Sequence, residues 1–98
     1  MRVVENIAAH LDDMPRIVVR ALGNQAWNGV SQRGDRIEAL SVGHRVLVTW
    51  KRLPQLDNAE VAVEIDALSG ISEDKGMTDL MTNLIQFIKM ESERCWGI

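Results

Sequence analysis

Alternation governs the middle of this chain. From residue 36 to residue 68, apolar and polar side chains trade places at a period of two, the signature of strands with one face buried. Three strands are predicted: Arg36–Val42, Arg45–Arg52 and Glu60–Leu68. Gly43-His44 fits a two-residue hairpin turn with glycine leading, which sets Val42 opposite Arg45, Ala39 opposite Val48 and Ile37 opposite Trp50. One face then collects Ile37, Ala39, Ser41, Val46, Val48 and Trp50. The other collects Arg36, Glu38, Leu40, Val42, Arg45, Leu47, Thr49 and Lys51, with Leu40 facing Leu47.

The third strand must join the Trp50 face with Val61, Val63 and Ile65, because a one-residue slip would send all of them to water. Pairing Trp50 with Val61, Val48 with Val63 and Val46 with Ile65 meets that demand. It also brings Lys51 opposite Glu60 and Arg45 opposite Asp66, a charge match that played no part in choosing the face. The loop Leu53–Ala59 joins the two strands. Pro54 cannot donate to a ladder, and Asp57-Asn58 is turn chemistry.

Helical periodicity flanks the meander. At the N-terminus, Val3, Val4, Ile7, Ala8 and Leu11 share one helical face, which predicts a helix over Arg2–Leu11 ending near Asp13 or Met14, ahead of Pro15. Residues 15–22 suit either a strand, through Ile17, Val18 and Val19, or a second helix capped by Asp13 and stopped by Gly23. The start and stop signals favour the helix. Asn24–Asp35 is rich in turn residues; a short strand over Ala26–Ser31 turning back through Arg33-Gly34 is plausible, with Trp27 and Val30 pinning the segment to the core. At the C-terminus, Met77, Leu80, Met81, Leu84, Ile85, Phe87 and Ile88 form a stripe about 160° wide, as a core-facing helix from Met77 to Arg94 requires. Thr78 or Ser72 could cap it. The expected fold is therefore α+β: an antiparallel sheet of three or four strands, a long C-terminal helix on the Trp50 face, and an N-terminal helix or helix pair, in one domain of 98 residues.

Charge is unevenly spread. The net charge of −3 combines a balance of +1 over residues 1–34, +2 over 35–55 and −6 over 56–98. Mutual neutralisation across the sheet accounts for this more simply than a patch for an acidic partner, and a chain of net acidic charge attracts nucleic acid weakly. Arg33, Arg36, Arg45, Lys51 and Arg52 lack aromatic stacking partners on their face, so nucleic-acid binding is not expected. The single cysteine, Cys95, permits no internal disulfide. With no apolar leader and no stretch long enough to span a bilayer, the cytoplasm is the expected location and no membrane contact is expected.

Candidate chemistry is thin. His10 beside Asp12 and Asp13 falls short of the three or four ligands a metal site needs, and reads as a surface histidine. His44 occupies a turn. Cys95 lies at a helix C-terminus, where the dipole disfavours a thiolate. Glu60, Glu64 and Asp66 resemble a carboxylate set, but alternation on a solvated face yields the same residues, and Lys51 and Arg45 stand opposite two of them. Arg33-Gly34-Asp35 reads as a turn. No cofactor is implied.

What stands out is surplus apolar surface. Leu40, Val42 and Leu47 lie on the face away from Trp50, so either an N-terminal helix or another subunit must cover them. With Leu53, Leu56, Trp96 and Ile98 they make a candidate interface. The leading expectation is a non-catalytic protein–protein interaction module, most simply a two-fold homodimer. Small motif-free chains of this kind are common among phage and mobile-element accessory products. A second expectation is a small-ligand domain whose cavity, between helix and sheet, is lined by Trp50, Met77, Met81 and Leu84. A third is an enzyme with a site assembled from scattered residues.

Overall fold

Five antiparallel strands form one sheet in the order β1-β5-β4-β3-β2: β1 is Arg2–Ile7, β2 Asn28–Arg33, β3 Arg36–Ser41, β4 His44–Arg52 and β5 Ala59–Ala67. A 3-10 turn at Leu11–Asp13 leads into α1, Met14–Asn24, and the chain ends in α2, Lys75–Trp96. The structure is a computed structural model and describes residues 1–25, 27–41, 43–52, 59–67 and 75–96, with backbone only at Lys75, Cys95 and Trp96. Among the described residues, no helix is long and apolar enough to cross a membrane.

The fold is α+β, with α1 between β1 and β2 and α2 after β5, but the sheet has five strands where three or four were expected. The extra strand comes from the N-terminus. Arg2–Leu11, expected as a helix, instead runs as β1 along the outer edge of β5, from Arg2 opposite Glu64 to Ile7 opposite Ala59. Val3, Ile7 and Leu11 fit a helical stripe, yet Val3 and Ile7 also fit a strand face. The residue between them, Glu5, disguises the alternation. Its carboxylate can occupy that face because Lys89 Nζ of α2 lies 3.5 Å away. Pairing also satisfies the backbone groups that β5 would otherwise leave open along this edge. Met1 extends the ladder: its amino group donates to the Ile65 carbonyl at 3.0 Å, and Ile65 N–H donates back to the Met1 carbonyl at 2.9 Å.

The β4–β5 register is the expected one, with Trp50 opposite Val61, Val48 opposite Val63 and Val46 opposite Ile65. The charge match follows: Lys51 Nζ lies 3.4 Å from Glu60 and Arg45 lies 3.6 Å from Asp66. The β3–β4 hairpin is shifted by two residues from expectation. Ser41 opposes His44, Leu40 opposes Arg45, Ala39 opposes Val46 and Ile37 opposes Val48. The turn therefore places Gly43 second rather than first, at φ 82°, a left-handed conformation that glycine adopts without steric cost. A two-residue shift preserves the parity, so the division into faces survives while the cross-strand neighbours change.

Residues 15–22 are helical. Asp13 is the N-cap residue of α1, Pro15 sits in its first turn, and the helix runs through Gly23 to Asn24. Met14, Ile17, Val18, Ala21 and Leu22 are fully buried at helical spacing. The C-terminal helix starts at Lys75, which puts Thr78 inside it rather than at its cap; Ser72 lies outside the described residues.

Both helices lie on the same side of the sheet, α1 towards β3 and α2 towards β5 and β1. Between them and the sheet lies the core: Ile37, Ala39, Val46, Val48, Trp50, Val61, Val63 and Ile65 from the strands, and Met77, Met81, Leu84 and Ile88 from α2. Polar ties lock the layers at their margins. Ser92 Oγ donates to the Ala8 carbonyl at 2.7 Å. Glu91, only 4% exposed, is held between Arg94 at 3.2 Å and Arg20 of α1 at 3.9 Å. Gln25 accepts from Trp27 Nε1 at 2.8 Å and donates to the Leu80 carbonyl at 3.1 Å, which seats the indole against α2. Val30, expected to pin the same segment, is 41% exposed and does not.

Candidate functional site

The placement of α1 decides where to look. An N-terminal helix was one of two ways to cover the second face of the sheet, and α1 packs on the first face instead. No described element lies across the second face.

The register places its side chains in rows running across the strands. One row is Val4, Ala62, Thr49, Arg36 and Arg33; the next is Arg2, Glu64, Leu47, Glu38 and Ser31. Flanking them are Asn6, Glu60 and Lys51 at one end and Asp66, Arg45, Leu40 and Asn28 at the other. Leu40 is 46% and Val4 44% exposed, while Leu47, Thr49 and Ala62 are half-buried among their neighbours. Leu40 does not face Leu47, as the hairpin turn had led one to expect. Leu40 faces Arg45 and Leu47 faces Glu38, leaving the two leucines as diagonal neighbours.

Charges on this face are matched pair by pair. Arg2 lies 3.5 Å from Glu64, Arg36 2.8 Å from Glu38, Arg45 3.6 Å from Asp66 and Lys51 3.4 Å from Glu60. Four of the acidic and basic positions considered for metal, carboxylate or nucleic-acid chemistry are thus partnered with one another. Arg33 on this face and Arg52 at the end of β4 are the exceptions, with no ion-pair partner among the described residues. Two shallow depressions open here. One, of about 360 Å³, is lined by Arg2, Arg36, Thr49, Lys51, Glu60 and Ala62, among others; the second, of about 200 Å³, by Ser31, Arg33, Arg36 and Glu38.

Of the expected interface residues, Leu40 and Leu47 are brought to this face together. Val42, Leu53, Leu56 and Ile98, and the side chain of Trp96, lie outside the described residues. Trp50, Met77, Met81 and Leu84, expected to line a cavity, are between 0% and 5% exposed within the core cluster. His10 is exposed and precedes the 3-10 turn, its carbonyl accepting from Asp13 N–H at 3.0 Å. His44 is not at a turn tip; it is the first residue of β4 and half-buried. Gly34 and Asp35 form the β2–β3 turn, with Gly34 at φ 60°. The side chain of Cys95 lies outside the description. Among the described residues, no three of His, Cys, Asp and Glu gather closely enough to hold a metal ion.

Arg2, Val4 and Asn6 were missed as members of this face because β1 was expected as a helix. The signal was present: Arg2, Val4 and Asn6 alternate with Val3, Glu5 and Ile7. No protein-family model matches the sequence, and no curated protein matches it.

Proposed function

We propose that the chain is a non-catalytic interaction module that associates with a second copy of itself through the uncovered sheet face. The observation that carries this reading is the one-sided placement of the helices, which leaves a whole face of a five-stranded sheet without a described cover. Five strands about 4.8 Å apart, each some 20–30 Å long, present roughly 600 Å² in projection, and side-chain relief adds to that, which approaches the about 800 Å² per partner of a standard interface.

Electrostatics suit a second copy. The chain carries −3, yet the face balances four cations against four anions and adds Arg33, so two molecules meet there with the least mutual repulsion. Ion pairs already formed within each copy also enter an interface without leaving an uncompensated buried charge. Leu40, Leu47, Val4 and Ala62 supply the apolar contact between them. The small-ligand reading lacks comparable support, since its four residues are absorbed by the core.

Sedimentation equilibrium over a wide concentration range tests the proposal. A mass that rises toward twice the monomer value, and a Leu47→Glu variant that stays monomeric while remaining folded by circular dichroism, are the expected results. A strict monomer at the highest concentration, or an unaltered dimer in Leu47→Glu, overturns it.

A further inference from the structure

We infer that the outer edge of β2 receives an extended acidic segment of a partner protein, with a carboxylate seated against Arg33; this rests on the reading of the chain as an interaction module and names a second partner for it.

Two features of β2 point this way. First, all six of its residues are exposed, unlike those of any other strand. Asn28, Ser31 and Arg33 share the open face, while Val30, on the strand's other side, is 41% exposed because the helix layer does not reach it. A strand that buries no side chain draws nothing from the core, and such ribbons are marginal on their own. Adding a strand outside β2 would supply backbone pairing and cover for Val30, the mode in which an extended peptide joins an open sheet edge.

Second, the charge on this edge is unresolved. Arg33 stands directly opposite Arg36, and like charges in that relation are destabilising. Arg36 is engaged by Glu38 at 2.8 Å, whereas Arg33 has no partner among the described residues. With Ser31 and Glu38 they line the depression of about 200 Å³; Arg36 neutralises Glu38, so a carboxylate arriving from beyond the edge meets the Arg33 guanidinium and the Ser31 hydroxyl. Arginine favours bidentate recognition of carboxylates.

A second copy of this chain does not meet the requirement. Its own β2, Asn28–Arg33, contains no acidic residue. The other edge strand, β1, offers Glu5, which is engaged with Lys89 on the helix side.

Gly29, at φ 58°, and Val30 together oppose Ala39, between the pairs Asn28–Leu40 and Ser31–Glu38. This is the bulge that left-handed glycine permits. It confines regular pairing to the end of the edge nearest the turn, next to Arg33.

The test uses a fluorescein-labelled peptide of alternating threonine and glutamate, ten residues long, titrated with the full chain and followed by anisotropy. Saturable binding is expected. It should weaken at least tenfold for Arg33→Glu, for the lysine counterpart of the peptide, and for a peptide N-methylated at every second residue, which cannot pair as a strand. Circular dichroism of Arg33→Glu should match wild type. Absence of binding up to ~1 mM peptide, or equal binding by Arg33→Glu or by the N-methylated peptide, overturns the inference. The two readings separate at Leu47→Glu, which should lose self-association and keep the peptide.

Discussion

The two faces of this sheet are made by the same strands, one residue apart, and they do different work. On the helix side, Ile37, Val46, Val48, Val61, Val63 and Ile65 are at most 2% exposed and meet Met14, Ile17, Leu84 and Ile88. On the open side, apolar residues occur singly or in twos among ion pairs: Leu40 beside Arg45, Leu47 between Glu38 and Glu64, Val4 opposite Ala62. A continuous apolar face collapses onto whatever amphipathic helices the chain supplies. An interrupted one holds its apolar residues among matched charges, and it is the face through which we propose that the chain associates. Stability therefore resides on the first face, and the proposed association draws its specificity from the second.

Substitutions can break or sharpen that contrast. Leu84→Ala on the covered side should cost about 2–5 kcal/mol, since the site cannot fully collapse; urea denaturation measures it, and a loss below about 1 kcal/mol would mean that the helix packs loosely. Leu47→Glu on the open side should cost the monomer less, about 1 kcal/mol, because the new carboxylate stands between Glu38 and Glu64, while weakening self-association at least tenfold in sedimentation. Ser92→Ala, which removes the 2.7 Å bond to the Ala8 carbonyl, should cost about 1 kcal/mol and so weaken the tie between α2 and the end of β1. The smallest effect belongs to the Lys51–Glu60 pair. A double-mutant cycle should return about 0.2–1 kcal/mol, falling with added salt, because Lys51 is largely exposed.

The central fold was readable where one physical demand dominated. β5 had to present Val61, Val63 and Ile65 to the core, so its pairing with β4 followed, ion pairs included. The C-terminal stripe from Met77 to Ile88 likewise had a single solution. Reading failed where two demands balanced. Val3 and Ile7 satisfy both helical and strand periods, and only the unpaired edge of β5, a tertiary fact, selects the strand. Gly43 can occupy either position of a two-residue turn, and both choices keep Val46 and Val48 inward, so the hydrophobic pattern cannot distinguish them. That ambiguity reached the candidate site: the parity of Leu40 and Leu47 was legible and their face was right, but their cross-strand partners were not. Arg2, Val4 and Asn6 were hidden because Glu5 disguised the alternation of β1.

Methyl-labelled NMR spectra recorded across a dilution series test the division of labour most directly. The expected result is that signals from Leu40, Leu47, Val4 and Ala62 move together with concentration, while those of Leu84, Ile65 and Val48 stay fixed. Signals that are all independent of concentration, or shifts confined to Val19 and Met90 on the outer surface of the helices, would contradict it.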